Sequence, residues 1–338
     1  MVRVLVTGGA GFIGRATVRA AVEAGHNVRI VSRDPRPSGS MFERLGVDVV
    51  TGDAQDPTVM DRALHGMDAL VQGAATFRYD RKAAPAMDNN AALARTILEA
   101  AARAKTSKVV DISSLVVFAL GHSPITESTP LTMPGQPGWS DPYLRSKVES
   151  ELVGRELEAA GLPRVTIHPG TVIGPEDTAM GTSSGFVTNL LRGGVSVDSR
   201  ASWVDVRDVA RAIVLALDKP PAGHYLLTSG VRRHRDVAQL LDELTGRTVT
   251  RRFLDAAMVR RLARVNDVFG GRLSPLPALG SLDWILDNAD AVDTSRTEAD
   301  LGISFRPLRE TLADAIRWWA EHDMVDRALA GKLAPEPD

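Results

Sequence analysis

Apolar residues gather in short runs, and helically spaced stretches lie between them. Val2 to Thr7, Val28 to Ser32, Val47 to Thr51, Ala69 to Gly73, Val109 to Ser113 and Arg164 to His168 read as strands. Helical patterns occupy Gly14 to Ala24, a segment around Met41, Thr58 to Leu64, Asn90 to Lys105 and Tyr143 to Ala160. This alternation predicts an α/β fold, a doubly wound parallel sheet with crossover helices. Beyond Pro169 the alternation weakens. A helix is expected over Asp208 to Asp218, a strand over Tyr225 to Thr228, and a helix capped by Asp236 over Val237 to Leu244. An amphipathic segment runs from Leu308 to His322. The pattern divides the chain into a sheet domain over residues 1–170, with 201–230 added. A smaller mixed α/β portion comprises 171–200 and 231–338.

The 338-residue length is more than one ordinary core needs, which agrees with two closely associated parts. A net charge of -2 with both signs interspersed offers no basic stripe for nucleic acid and no polybasic segment for a membrane surface. Small-molecule partners are expected. With no cysteine, disulfides, thiol nucleophiles and cysteine-ligated metal centres are excluded, and no metal site is expected. Val2 to Val6 opens the chain without signal-type features, and no apolar run reaches spanning length, so a soluble cytoplasmic protein is expected.

The chemistry concentrates in two strings. Thr7-Gly8-Gly9-Ala10-Gly11-Phe12-Ile13-Gly14 follows the first strand and opens a helix. Such a glycine turn aims unpaired N–H groups and a positive dipole end at a pyrophosphate, with Gly8, Gly11 and Gly14 as the turn, approach and packing positions. Tyr143-Leu144-Arg145-Ser146-Lys147 places a phenol and an ammonium one helical turn apart. A phenol titrates near pH ~10, and a neighbouring ammonium favours its phenolate, so Tyr143 becomes a candidate proton donor and acceptor.

Together these strings resemble the extended short-chain dehydrogenase/reductase superfamily, nearest its dihydroflavonol reductase and 3β-hydroxysteroid dehydrogenase branch. The resemblance runs from Val4 to Trp319 and implies a Rossmann-type fold. It carries the Thr7 to Gly14 turn onto TGGxGFIG, with Phe12 and Ile13 in the cofactor cradle. Gly52-Asp53 takes the place of the pair whose acid contacts adenine, and Ala74-Ala75 that of the alanine pair after the fourth strand, where Gln72 stands for a common histidine. Ser113 to Ala119 matches SSxxVYG, which makes Ser114 the catalytic hydroxyl. Asn90 matches the asparagine opening the NVxGTxNLLEA helix, with a helix N-cap as its other reading. Pro124 to Glu127 resembles P-x-T-E. His168-Pro169-Gly170 resembles the RP stretch with histidine in place of arginine; Pro169 is expected beside the nicotinamide and His168 in a structural role. Trp203 to Ala210 matches FVHVDDVA, with Asp208 expected to cap the following helix.

The end of the second strand reads Val31-Ser32-Arg33. A hydroxyl beside a guanidinium suits a 2′-phosphate, so NADP(H) is the expected cofactor. Asp34 keeps NAD(H) open. The expected reaction is hydride transfer that reduces a ketone or aldehyde, or oxidises a secondary alcohol, with Ser114, Tyr143, Lys147 and Asn90 as catalytic residues. An apolar substrate fits Phe186, Phe269 and Trp284 in the segments 176–201 and 253–286, although these aromatics equally suit a core. A nucleotide-sugar epimerase with retained NAD is the alternative, and a non-catalytic NADP-binding regulator is the alternative of another class. The resemblance implies a homodimer through the Tyr143 helix, where Leu152 and Leu157 face either a partner or the sheet.

Overall fold

The computed structural model describes residues 1–36, 41–76, 87, 89–219, 223–268, 286 and 290–336. Phe269 and Trp284 lie outside them. Seven strands form the central sheet: β1 (Arg3–Thr7), β2 (Asn27–Ser32), β3 (Asp48–Thr51), β4 (Ala69–Gln72), β5 (Lys108–Ile112), β6 (Arg164–Pro169) and β10 (His224–Leu227). Their order is β3-β2-β1-β4-β5-β6-β10, and every pair is parallel. Strand burial is nearly continuous rather than alternating, as a sheet covered on both faces requires.

Helices α1 (Phe12–Glu23), α2 (Met41–Arg44), α3 (Pro57–Leu64), α4 (Asn90–Ala104) and α5 (Pro142–Ala159) belong to the crossovers. One face of the sheet packs against α1 and α7 (Val206–Asp218), through Val18, Ala21, Val209 and Ile213. The other packs against α3, α4 and α5, through Met60, Ile97, Leu98 and Val153. Lys108 ties the layers by donating its ammonium to the Ala216 and Leu217 carbonyls at the end of α7. That arrangement satisfies carbonyls that a helix C-terminus leaves unpaired.

The rest of the chain builds a second core from α6 (Thr182–Leu191), α8 (His234–Thr245) and α11 (Leu308–Glu321), centred on Trp203 and Trp319. Short strands that periodicity does not reveal support it: β7 (Thr171–Ile173), β9 (Arg200–Asp205) and β11 (Val231–Arg233) in one sheet, β8 (Val195–Val197) and β12 (Arg252–Leu254) in another. All of these but the six-residue β9 are three residues long, too short for alternation to register. Helices α9 (Ala256–Val268), α10 (Ser295–Leu301) and α12 (Arg327–Ala330) complete the described elements. Phe186 is a core residue, tilted against Trp203 and His234 with ring centroids 5.9 and 4.6 Å away.

Two expected caps are corrected. Helix α7 begins at Val206, and Asp205 caps it by accepting from the Arg207 amide at 2.8 Å. Asp208 lies inside the helix, where Arg306 supplies both its backbone N–H, at 2.7 Å, and its guanidinium. Asp236 falls in the first turn of α8, which starts two residues earlier at His234. Leu157 packs into the core around α3 and α4, whereas Leu152 is 38 % exposed.

The glycine turn shows why its residues are glycine. Gly8 has φ +69°, and a Cβ there would lie 2.6 Å from the Gly73 carbonyl oxygen on the adjoining strand end. A Cβ on Gly14 would collide with the Gly8 carbonyl oxygen. Gly14→Ala is therefore expected to push α1 off the turn and destabilise the fold by about 1–3 kcal/mol, as overpacking typically does. Urea unfolding checks this, and an unmoved midpoint would contradict the packing role.

Candidate active site

The sheet order reverses between β1 and β4, and dinucleotides bind at such a switch beyond the strands' carboxyl ends. Thr7 and Gln72 close this point. The Thr7 hydroxyl donates to Gln72 Oε1 at 2.5 Å, and the Gln72 amide brackets Ala74, accepting from its N–H at 3.2 Å and donating to its carbonyl at 3.1 Å. Gln72 thus sets the path of the Ala74-Ala75 segment.

Helix α1 begins after Gly11 with no side-chain cap and no acid in its first turn. Its first amides, at Phe12, Ile13 and Gly14, face a turn that a Cβ would fill. This donor set fits a pyrophosphate. Ser32 ends β2 and accepts from the Asp34 amide at 3.1 Å, and the Asp34 carboxylate accepts from the Arg36 amide at 2.9 Å. Asp34 is thereby engaged in its own turn, while Arg33 is exposed with no hydrogen-bond or ion-pair partner among the described residues. Asp53 is exposed after β3 and caps its own turn at the Gln55 amide.

Across the crevice, Asp141 caps α5 by accepting from the Leu144 amide at 2.8 Å, and Pro142 occupies the first turn. Tyr143 therefore emerges at the helix start, where the Ser114 hydroxyl hydrogen-bonds its phenol. Ser114 also accepts from the Val116 amide at 3.3 Å, forming the turn after β5. One turn along α5, Lys147 donates to the Ile112 carbonyl at 3.0 Å. Burial pushes the Tyr143 phenol up to about 12, Ser114 counteracts this, and Asp141 adds to it. The ammonium expected to act on the phenol is instead directed at Ile112.

Asn90 begins α4 rather than preceding it, so the N-cap position belongs to Asn89. The Asn90 amide accepts from the Thr76 N–H at 2.8 Å and donates to its carbonyl and to Ser146 Oγ at 3.0 and 3.2 Å. It joins the segment after β4 to the turn of α5 between Tyr143 and Lys147. Pro169 ends β6 beside β10.

Beneath these residues lies a charged cluster that sequence reading missed. Arg164 is fully buried, donating to Asp111 at 2.9 Å and Glu151 at 2.7 Å. His168 is enclosed: Nδ1 lies 3.3 Å from the Ser114 carbonyl, and Nε2 lies 3.0 Å from His224 Nδ1. Glu151, His168 and His224 bring ligand atoms within 4.8 Å of one another. Both Glu151 oxygens already accept from guanidinium groups, of Arg155 and Arg164, so the carboxylate of this trio is engaged in ion pairs.

A parallel sheet with a bare glycine turn at its switch point and a Ser–Tyr contact across the crevice defines a dinucleotide-dependent oxidoreductase class. The chain belongs to the NAD-dependent epimerase/dehydratase family, whose model matches residues 4–227, and is an NAD(P)-dependent enzyme of the extended short-chain dehydrogenase/reductase type. It is 27% identical over 95% of its length to sterol demethylase protein B of Methylococcus capsulatus, covering 99% of that protein. A putative dihydroflavonol 4-reductase of Synechocystis is 26% identical, with 95% of each chain covered. UDP-glucose 4-epimerase of Azospirillum brasilense is 30% identical over 75% of this chain and 80% of its own. The crystal structure of gox2253 superposes with a TM-score of 0.85 at 25% identity, covering 96% of this chain and all of that one (100%). Among the described residues no helix is long and apolar enough to cross a membrane.

Burial holds His168 down at about 3, against an ordinary 6.5, and lowers His224 as well. Between those values the unfolded chain binds protons that the folded one refuses. Stability is therefore full above pH 6.5 and falls on acidification, by up to about 1.4 kcal/mol per pH unit for one such group. Glu151, held at about 2 against 4.5, adds its own loss only below 4.5. Urea unfolding between pH 7 and about 5 should show this slope, and His168→Gln should flatten it; equal slopes would refute the assignment.

Proposed function

We propose that this enzyme transfers hydride between NADP(H) and the carbonyl or secondary alcohol carbon of an apolar small molecule. The single observation carrying this reading is the convergence of Ser114, Tyr143 and Lys147 at the carboxyl end of β5, opposite the glycine turn. In the reductive direction the Tyr143 phenol gives its proton to the carbonyl oxygen, and the Ser114 hydroxyl donates a hydrogen bond to that oxygen as negative charge develops. Lys147 holds the ribose hydroxyls next to the nicotinamide, and Asn90 fixes the α5 turn that carries both groups. The α1 amides and Gly8 to Gly14 take the pyrophosphate, with Ala74, Ala75 and Pro169 lining the remainder. The dinucleotide, when bound, supplies or accepts the hydride.

Arg33 supports the NADP(H) preference, because its guanidinium stands exposed at the end of β2 while the Asp34 carboxylate is turned to its own backbone. Arg33→Ala should weaken NADPH binding tenfold or more, on the order of 1.4 kcal/mol or greater for a charged contact, and leave NADH binding nearly unchanged. An equal effect on both would refute the preference. Full-length similarity to a sterol demethylase protein and a dihydroflavonol reductase supports the apolar substrate class.

Tyr143→Phe tests the chemistry directly. Turnover is expected to fall by about 10²–10⁴ while NADPH binding persists; near-full activity would overturn the mechanism. The second reading, an epimerase that oxidises and re-reduces one substrate on retained NAD, draws support from the 30% identical UDP-glucose 4-epimerase. Mass spectrometry of the purified, dialysed protein separates the two. Protein that is empty and prefers NADPH agrees with a releasing reductase, whereas tightly held NAD favours the epimerase.

A further inference from the structure

The layer formed by β5, β6 and α5 holds more charge than proton transfer at Tyr143 requires. Asp111, Glu151 and Arg164 are all buried, and the single Arg164 guanidinium bonds both carboxylates. Space for that guanidinium is built into α5, because a Cβ on Gly154 would collide with it. At the rim, Arg155 bonds Glu151 at 3.0 Å and Glu158 bonds Arg164 at 3.2 Å. These five groups carry three negative charges and two positive ones. Lys147 lines the same small cavity as Asp111 and Glu151, and its one hydrogen bond among the described residues goes to the carbonyl of Ile112, the residue after Asp111.

We propose that Asp111 is a positioning residue for the active site: its carboxylate, locked by Arg164, is the counter-charge that keeps the buried Lys147 ammonium protonated. This rests on the reading of Lys147 as the ribose-binding neighbour of Tyr143. A buried lysine without compensation can titrate as low as about 5–6, and would then be neutral at working pH. Burial pulls Lys147 down, Asp111 is the largest influence pushing it back, Glu151 follows, and Arg164 opposes them. Glu151 accepts from two guanidiniums, whereas among the described residues Asp111 accepts from Arg164 alone; burial raises the Asp111 carboxyl, and Arg164 is the largest influence holding it down. His168 and His224, on β6 and β10, are both held neutral by burial and add no charge to the balance.

The chain has six lysines, few enough to follow individually by NMR with label at lysine Cε, the Lys147 signal being assigned by its loss in Lys147→Met. In the unmodified protein Lys147 is expected to remain protonated at neutral pH; a neutral Lys147 there would overturn the proposal without any variant. In Asp111→Asn its titration midpoint should fall by about one pH unit or more, equivalent to a tenfold change in protonation. The alkaline limb of the kcat/KM profile should move with it. An unmoved Lys147 midpoint in a folded Asp111→Asn protein defeats the proposal whatever the activity does. A moved midpoint beside an unmoved rate profile would instead overturn Lys147's place in the chemistry. If Asp111→Asn does not fold, Glu151→Gln should shift Lys147 in the same direction by a smaller amount, and no shift would again defeat the proposal. A merely structural role for Asp111 predicts activity lowered equally at every pH.

Discussion

The structure depends on how closely two backbones can approach at the β1–β4 switch. Parallel pairing of Leu5 to Thr7 with Leu70 to Gln72 brings the next residues of both chains together at one point. There Gly8 faces Gly73 at a separation that leaves no room for a Cβ, and Gly14 seats the first turn of α1 on Gly8. With the turn fixed, α1 presents uncapped amides to the crevice. The second core is tied to the same helix: Arg19 makes a two-point ion pair with Glu176, and Arg15 donates to the Ala10 and Glu176 carbonyls. The glycine turn and the segment after β7 therefore share an anchor.

The opposite wall is set by a different balance. Helix α5 must bring Tyr143 and Lys147 to the end of β5, yet the same helix buries Glu151 against Arg164. Removing one member of such a pair typically costs about 3–5 kcal/mol, because a charge is left buried and uncompensated. The pair is thus a poor source of net stability but a strong determinant of register, since sliding α5 along the sheet would separate the charges. The site gains fixed geometry from that constraint, as Asn90 and Ser146 add a second tie between α4 and α5.

Most of the parallel sheet was legible because its strands are long enough to show as apolar runs, and boundaries differ by only a residue or two. The glycine turn and Tyr143–Lys147 spacing were legible because backbone approach and helical pitch permit few alternatives. The caps were misread for a local reason: Asp205 and Asp208 both suit a helix start, and only the Arg306 contact, from a residue 98 positions away, shows which is engaged elsewhere. The strands β7, β8, β11 and β12 are too short to signal. Asp111 reads as a polar interruption in an apolar strand, and nothing local announces that its partner arrives on β6.

The substitution at His168 ties these observations together. Residues 164 and 168 lie on one face of β6, four positions apart, so a guanidinium supplied from 164 reaches the same side of the sheet as one from 168. Glu151 on α5 meets Arg164 there, and His168 lies as a neutral ring between a tilted Phe118 and a stacked His224. A charge carried by a long side chain can thus be supplied from another position along a strand and still serve the same layer. Backbone approach has no such freedom, because a Cβ at Gly8 or Gly14 would meet the carbonyl of Gly73 or Gly8 whatever side chain it carried. The glycine turn is consequently the part of this site fixed most tightly by backbone contact, whereas the ionic layer beneath Lys147 is held by side chains.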